Sequence, residues 1–74
     1  MIIFHDGYQF EYSQPKRIGM LNEGRYYCLV TAPLHGLVMG SIVYFGKKEP
    51  KTSTVLRKVK AEANFHISVG NVKK

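Results

Sequence analysis

Three histidines, His5, His35 and His66, are the side chains of this sequence best suited to move a proton near neutral pH. With a Lys or Arg nearby, such residues carry out phosphodiester cleavage by acid–base catalysis. Their positions do not assemble such a site. His5 borders the Asp6-Gly7 dipeptide, His35 lies in a Pro- and Gly-marked loop, and His66 lies in a stretch of alternating apolar residues. A His-dependent nuclease is therefore kept as the alternative, and the chain is read as non-catalytic. Cys28 is the single cysteine, so no intramolecular disulfide can form. Cysteine and histidines show no Cys-x-x-Cys or His-x-x-x-His spacing, so no metal or other cofactor is expected. Without a partner group implied by its neighbours, Cys28 is expected to be a small buried hydrophobe. A Gly-rich phosphate loop and a Ser–His–Asp order are both missing.

Phosphate recognition is the other chemistry the residue types allow. The 74 residues carry 11 Lys and Arg against 5 Asp and Glu, a formal net charge of +6. Residues 1–45 hold Lys16, Arg17 and Arg25 against Asp6, Glu11 and Glu23, and so balance. The whole excess belongs to residues 46–74, with Lys47, Lys48, Lys51, Arg57, Lys58, Lys60, Lys73 and Lys74 against Glu49 and Glu62. A positive field this concentrated attracts a phosphate backbone or an acidic protein surface. Lys47, Lys48, Lys51, Arg57, Lys58 and Lys60 are the candidate contact residues. Read as strand, the segment puts Lys58 and Lys60 on one side and Arg57 on the other. The bland role for the same lysines is solubility and the protection of strand edges.

The elements that must position these groups read mostly as strands. Asp6-Gly7 between residues 1–5 and 8–12 is a hairpin signal, because a type I′ turn needs positive φ at both central residues. The pairs are then His5 with Tyr8, Phe4 with Gln9, Ile3 with Phe10, and Ile2 with Glu11. Met1, Ile3, His5, Tyr8, Phe10 and Tyr12 share the core face. Ser13-Gln14-Pro15 breaks the run. A second hairpin is expected over 16–32 around Asn22-Glu23-Gly24, with Met20 opposite Tyr26, Ile18 opposite Cys28 and Lys16 opposite Val30. Residues 37–45 are apolar at odd and even positions, as in a strand covered on both faces or crossing between sheets. Gly40 marks a bulge or bend there. Val55, Val59, Ala61, Ala63, Phe65, Ile67 and Val69 alternate with polar residues, which favours strands. The same residues include good helix formers behind Thr52, Ser53 and Thr54, which could cap a helix.

The chain is accordingly read as mainly β: a small antiparallel barrel or sandwich built from hairpins at 1–12 and 16–32, a strand at 37–45 and a C-terminal strand at 65–69. The alternative is α+β with a short helix at 54–63. One domain spans 1–72, with 73–74 as a basic tail. This outline is loosely similar to SH3-like, OB and Sm-like modules, none of whose motifs is present. No apolar run, that of Ile42 to Phe45 included, approaches the length of a membrane span, and residues 1–6 lack the basic and apolar regions of a leader. A cytoplasmic location follows, in the host cytoplasm for a viral protein, and no membrane partner is expected. The function expected is a small basic module contacting nucleic acid through its C-terminal third. The alternative is a protein-interaction or assembly subunit, such as a viral, phage or plasmid accessory protein acting on a host complex. Ile2, Phe4, Tyr27 and Leu29 on otherwise mixed strand faces would supply its apolar interface, and a homo-oligomer is one such assembly.

Overall fold

The computed structural model describes residues 1–19 and 21–74, with backbone alone for residues 21 and 22. Four antiparallel strands form one sheet in the order β1-β2-β3-β4, and a C-terminal helix packs on one of its faces. The fold is α+β. The strands are β1 (Ile2–His5), β2 (Tyr8–Tyr12), β3 (Tyr27–Ala32) and β4 (Leu37–Tyr44); the helix is α1 (Thr52–Ser68). The sheet is open along β1 and β4 and does not close into a barrel.

The first hairpin forms as the sequence dictates. Asp6 and Gly7 both take positive φ, 51° and 82°, and the pairs run from Ile2 with Glu11 to His5 with Tyr8. Ile3, Phe10 and Tyr12 are buried; Met1, expected on the same core face, is exposed, and its ammonium donates to the Tyr12 carbonyl at 2.7 Å.

The expected hairpin over 16–32 does not form. Lys16 makes one isolated bridge, to Tyr27 rather than Val30, and Ile18 is exposed instead of facing Cys28. The expected Met20–Tyr26 pair lies outside the described residues. β3 pairs instead with β2, through Glu11–Thr31 and Tyr12–Val30, and with β4 on its other edge. Two strand partners satisfy the backbone of β3 on both sides, which one local hairpin cannot. Among the described residues between Tyr12 and Tyr27 no strand forms. Gly19, Glu23 and Gly24 all adopt positive φ, and residues 21–24 form a 3₁₀ turn. Ser13 ends β2 by closing onto Leu29, its amide donating to the Leu29 carbonyl and its hydroxyl accepting from the Leu29 amide.

A 3₁₀ turn at Pro33–His35 and the left-handed Gly36 lead into β4. The bulge expected at Gly40 is present, at the register shift opposite Val30 and Ala32. Gly40 has φ +68°, and a Cβ built there would overlap the Val30 carbonyl oxygen and the Thr31 methyl well inside van der Waals contact. The two-sided cover expected for this strand is not found. β4 is an edge strand whose Val38 and Met39 are exposed.

The C-terminal strand at 65–69 is replaced by helix, and the 54–63 alternative extends to Thr52–Ser68. Val55, Val59, Ala63 and His66 recur at helical spacing and all four are buried. The period-two pattern was a coincidence of the same residues: Phe65 and Val69, both on it, are exposed. The residue before the helix is Lys51, so none of the three hydroxyls at 52–54 caps it. Its end is a Schellman motif, in which the Asn71 amide donates to the His66 carbonyl and the Gly70 amide to that of Ile67, with Gly70 at φ +77°. The helix face meets Ile3, Phe10, Cys28, Val30, Val43 and Phe45 of the sheet, and Val72 closes the core.

Gly40→Ala is expected to lower stability by more than about 2 kcal/mol, since the left-handed conformation alone costs roughly 1–2 kcal/mol for a residue with a Cβ and the clash adds to it. Urea unfolding of the two proteins measures the difference.

Candidate functional site

The six cations singled out in the sequence are distributed over the loop after β4 and the helix. Lys47, Lys48 and Lys51 lie in the exposed segment that leads into α1. Arg57 and Lys60, three residues apart in the helix, are exposed on the side away from the sheet. The strand reading put Arg57 opposite Lys60; the helix puts them together. Lys58 is turned the other way. Its ammonium donates to the Tyr44 carbonyl at 2.9 Å and sits 5.4 Å from the centroid of the Phe45 ring, tying the helix to the end of β4. Among the described residues no Lys or Arg pairs with a carboxylate, so the excess charge is not neutralised from within. Lys73 and Lys74 lie against the body of the fold. The Lys73 amide donates to the His35 carbonyl, and the Lys74 ammonium is 5.2 Å from the centroid of the Tyr8 ring.

The four apolar candidates come to one surface, the face of the sheet that α1 leaves uncovered. On β3, Tyr27, Leu29 and Thr31 alternate with the buried Cys28, Val30 and Ala32. Pairing carries that face across the sheet: Tyr44 opposes Tyr27, Ile42 opposes Leu29, Glu11 opposes Thr31, and Ile2 opposes Glu11. Phe4, three-quarters exposed at 74 %, stands on the edge strand opposite Gln9. Gln9, Glu11 and Thr31 separate the Ile2–Phe4 edge from the Tyr27–Leu29–Ile42–Tyr44 group. Ile42 and Tyr44 were missed in the sequence because β4 is apolar at both parities. Their assignment needs the register.

The histidines stay apart in role. His35 accepts the Gln9 amide at Nε2 (3.0 Å), and its Nδ1 donates to the Lys73 carbonyl (2.8 Å), so both ring nitrogens are committed to the fold. His5 lies 3.7 Å from the Asp6 carboxylate at the first turn. His66, 4 % exposed, joins a cluster the sequence did not reveal. The Asn71 amide nitrogen is 2.9 Å from His66 Nδ1, Ser41 Oγ is 2.8 Å from Nε2, and the Ser41 hydroxyl donates to Glu62 Oε2 at 2.6 Å. The Ser41 hydroxyl donates its proton to Glu62 and not to the ring, which is not the arrangement of a serine nucleophile with its base. The cluster as arranged ties β4, α1 and the turn after the helix together. Cys28 is fully buried and burial pushes its thiol up from its ordinary value, away from the thiolate that nucleophilic chemistry uses. No group of three or more His, Cys, Asp or Glu side chains that could hold a metal ion occurs among the described residues. No helix among them is long and apolar enough to cross a membrane.

Comparison with known protein families, with curated proteins and with solved structures finds no match to this chain.

Ser41→Ala removes the hydroxyl that bridges His66 and Glu62, leaving Nε2 and Oε2, 3.5 Å apart, without the shorter bonds it made to each. The expected loss is about 1–3 kcal/mol of unfolding free energy, read from urea titration. The Cys28 thiol is expected to resist a disulfide reagent in the native protein and to react at once in denaturant. Labelling at equal rates in both would show that the sheet–helix core opens readily.

Proposed function

We propose that this chain is a small, non-catalytic binding module that contacts nucleic acid through its basic C-terminal third. The observation that carries this reading is the exposed, unneutralised cation set formed by Lys47, Lys48 and Lys51 before α1 and by Arg57 and Lys60 on its outer side. Flexible lysines and one arginine, held by a rigid helix and a short loop, suit phosphate oxygens spaced along a backbone. Lys58 contributes field more than contact, because its ammonium is already engaged by the Tyr44 carbonyl. An acidic protein surface is the other partner this field would attract. The module is expected to work in the cytoplasm, in an accessory role.

The decisive substitution is therefore Arg57→Glu with Lys60→Glu, which spares the Lys58 tie. Binding to duplex DNA or RNA, followed by fluorescence anisotropy, is expected to weaken steeply with added salt. The double substitution should reduce affinity at least about tenfold and flatten the salt dependence, because each lost phosphate contact removes about 0.9 from the log–log slope. Affinity that ignores salt, or no binding at low ionic strength, overturns the reading.

A second reading, an assembly subunit, is favoured by one observation. Phe4 and Ile2 stand 74 % and 54 % exposed side by side on the edge strand β1, whose backbone is free to pair along its outer side. Light scattering across a range of concentrations tests it; a mass equal to one chain throughout, unchanged by Phe4→Ser, counts against it.

A further inference from the structure

The open face of the sheet ends in a corner where rings and cations meet, although they are far apart in sequence. Tyr27 and Tyr44 are paired across β3 and β4, with Leu29 and Ile42 as the next pair. Lys16 bridges to Tyr27, so its exposed side chain shares the tyrosine face. Arg25 lies just before β3. Its Nε donates to the Phe45 carbonyl at 2.6 Å, and its guanidinium carbon is 5.6 Å from the centroid of the Tyr44 ring. One of five N–H groups is thus used to fix the guanidinium, and among the described residues the other four have no hydrogen-bond partner. The chain leaves β4 beside this group, since the Tyr26 amide donates to the Gly46 carbonyl, and it continues into the exposed Lys47 and Lys48. Against these cations the loop itself sets one carboxylate, Glu49.

We propose that this corner is a stacking subsite for single-stranded nucleic acid, with bases lying on Tyr27 and Tyr44 and the backbone held by Lys16, Arg25, Lys47 and Lys48. The inference rests on the nucleic-acid reading above and adds to it the kind of strand and the surface that reads it. Charge and ring chemistry select the occupant. A purely apolar protein surface would leave Lys16 and Arg25 desolvated and unpaired, whereas a single strand brings a phosphate with every base. A duplex keeps its bases stacked internally and gains nothing from rings on a sheet face. Lys47 and Lys48 connect the corner to the cations on the outer side of α1, so one strand can engage both.

Stacking is worth enough to measure, and it tolerates any base sequence. The test compares the full-length protein with Tyr27→Val/Tyr44→Val, which keeps β-favouring residues on both strands, and with Lys16→Gln/Arg25→Gln. Short oligo(dT), oligo(rU) and a duplex of similar length are titrated at low and moderate salt. The sequence has no tryptophan and five tyrosines, so the part of the tyrosine quench that the Val variant loses belongs to these two rings. Single strands are expected to quench this emission, and the Val variant should lose both that quench and at least about tenfold in single-strand affinity. Duplex binding and the unfolding midpoint should stay as they were. The Gln variant should shallow the single-strand salt slope while retaining a quench. The tighter of oligo(dT) and oligo(rU) identifies the strand chemistry preferred.

Unchanged single-strand affinity and quench in the Val variant overturns the proposal and leaves the basic helix reading intact. An equal loss for duplex and single strand also overturns it, because the rings would then serve the general interface. A wild-type protein that binds no nucleic acid at all refutes both. If the Val variant instead abolishes self-association with nucleic-acid binding untouched, the corner belongs to a protein contact and the proposal fails.

Discussion

The seating of α1 on one face of the sheet, through Val55, Val59 and Ala63, is the contact on which the rest of the molecule depends. At 74 residues the chain has the material for one helix and four strands, and one helix covers one face. The buried half of each strand is therefore fixed by what α1 touches, and the other half is left to water or to a partner. That asymmetry explains why Cys28, Val30 and Ala32 vanish from solvent while Leu29 between them does not. The remaining ties reinforce the same seating. Lys58 reaches the end of β4, Ser41 meets His66 and Glu62, and Asn71 fastens the turn beyond the helix to the His66 ring.

The same asymmetry organises the surface. Cations on the outer side of the helix and rings on the uncovered side of the sheet lie on opposite sides of the core. The loop carrying Lys47 and Lys48 connects the two. The charge segregation visible in the sequence thus becomes a spatial arrangement, one basic side and one apolar side joined at an edge. In the N-terminal part, whose charges balance, Lys16 and Arg25 nevertheless stand where the apolar side meets that edge.

What could be read from the sequence depended on how local the deciding interaction was. The first hairpin was legible residue by residue because Asp6-Gly7 sets both turn and register within a few residues. Gly40 was legible as a bulge for a similar reason. The 16–32 hairpin failed because strand pairing is a competition: residues 27–32 could pair with the segment from Lys16 onward or with β2 and β4, and no local signal ranks those outcomes. The helix was obscured by a sequence that alternates and also repeats at helical spacing. The stop signal at Gly70-Asn71 carried the missing information, since a glycine past the last periodic residue marks a helix end. The placing of Ile2, Phe4, Tyr27 and Leu29 on the face away from the core was legible from alternation alone. Ile42 and Tyr44 required the register, and the diversion of Lys58 required knowing that α1 passes over the end of β4.

The strand order β1-β2-β3-β4 carries a consequence for how the chain reaches this structure. Every strand pairs with its neighbour in sequence, so each new strand adds to an edge already formed and closes only a short loop; residues 13–26 make the longest excursion. The loop-closure cost that slows sheets with distant pairings is small here. The helix is local by nature, and its docking across the finished face is the one step that gathers residues from both ends of the chain. A rapid assembly follows, in which the sheet grows by accretion and the arrival of α1 makes it cooperative. Until then both faces of the sheet are bare.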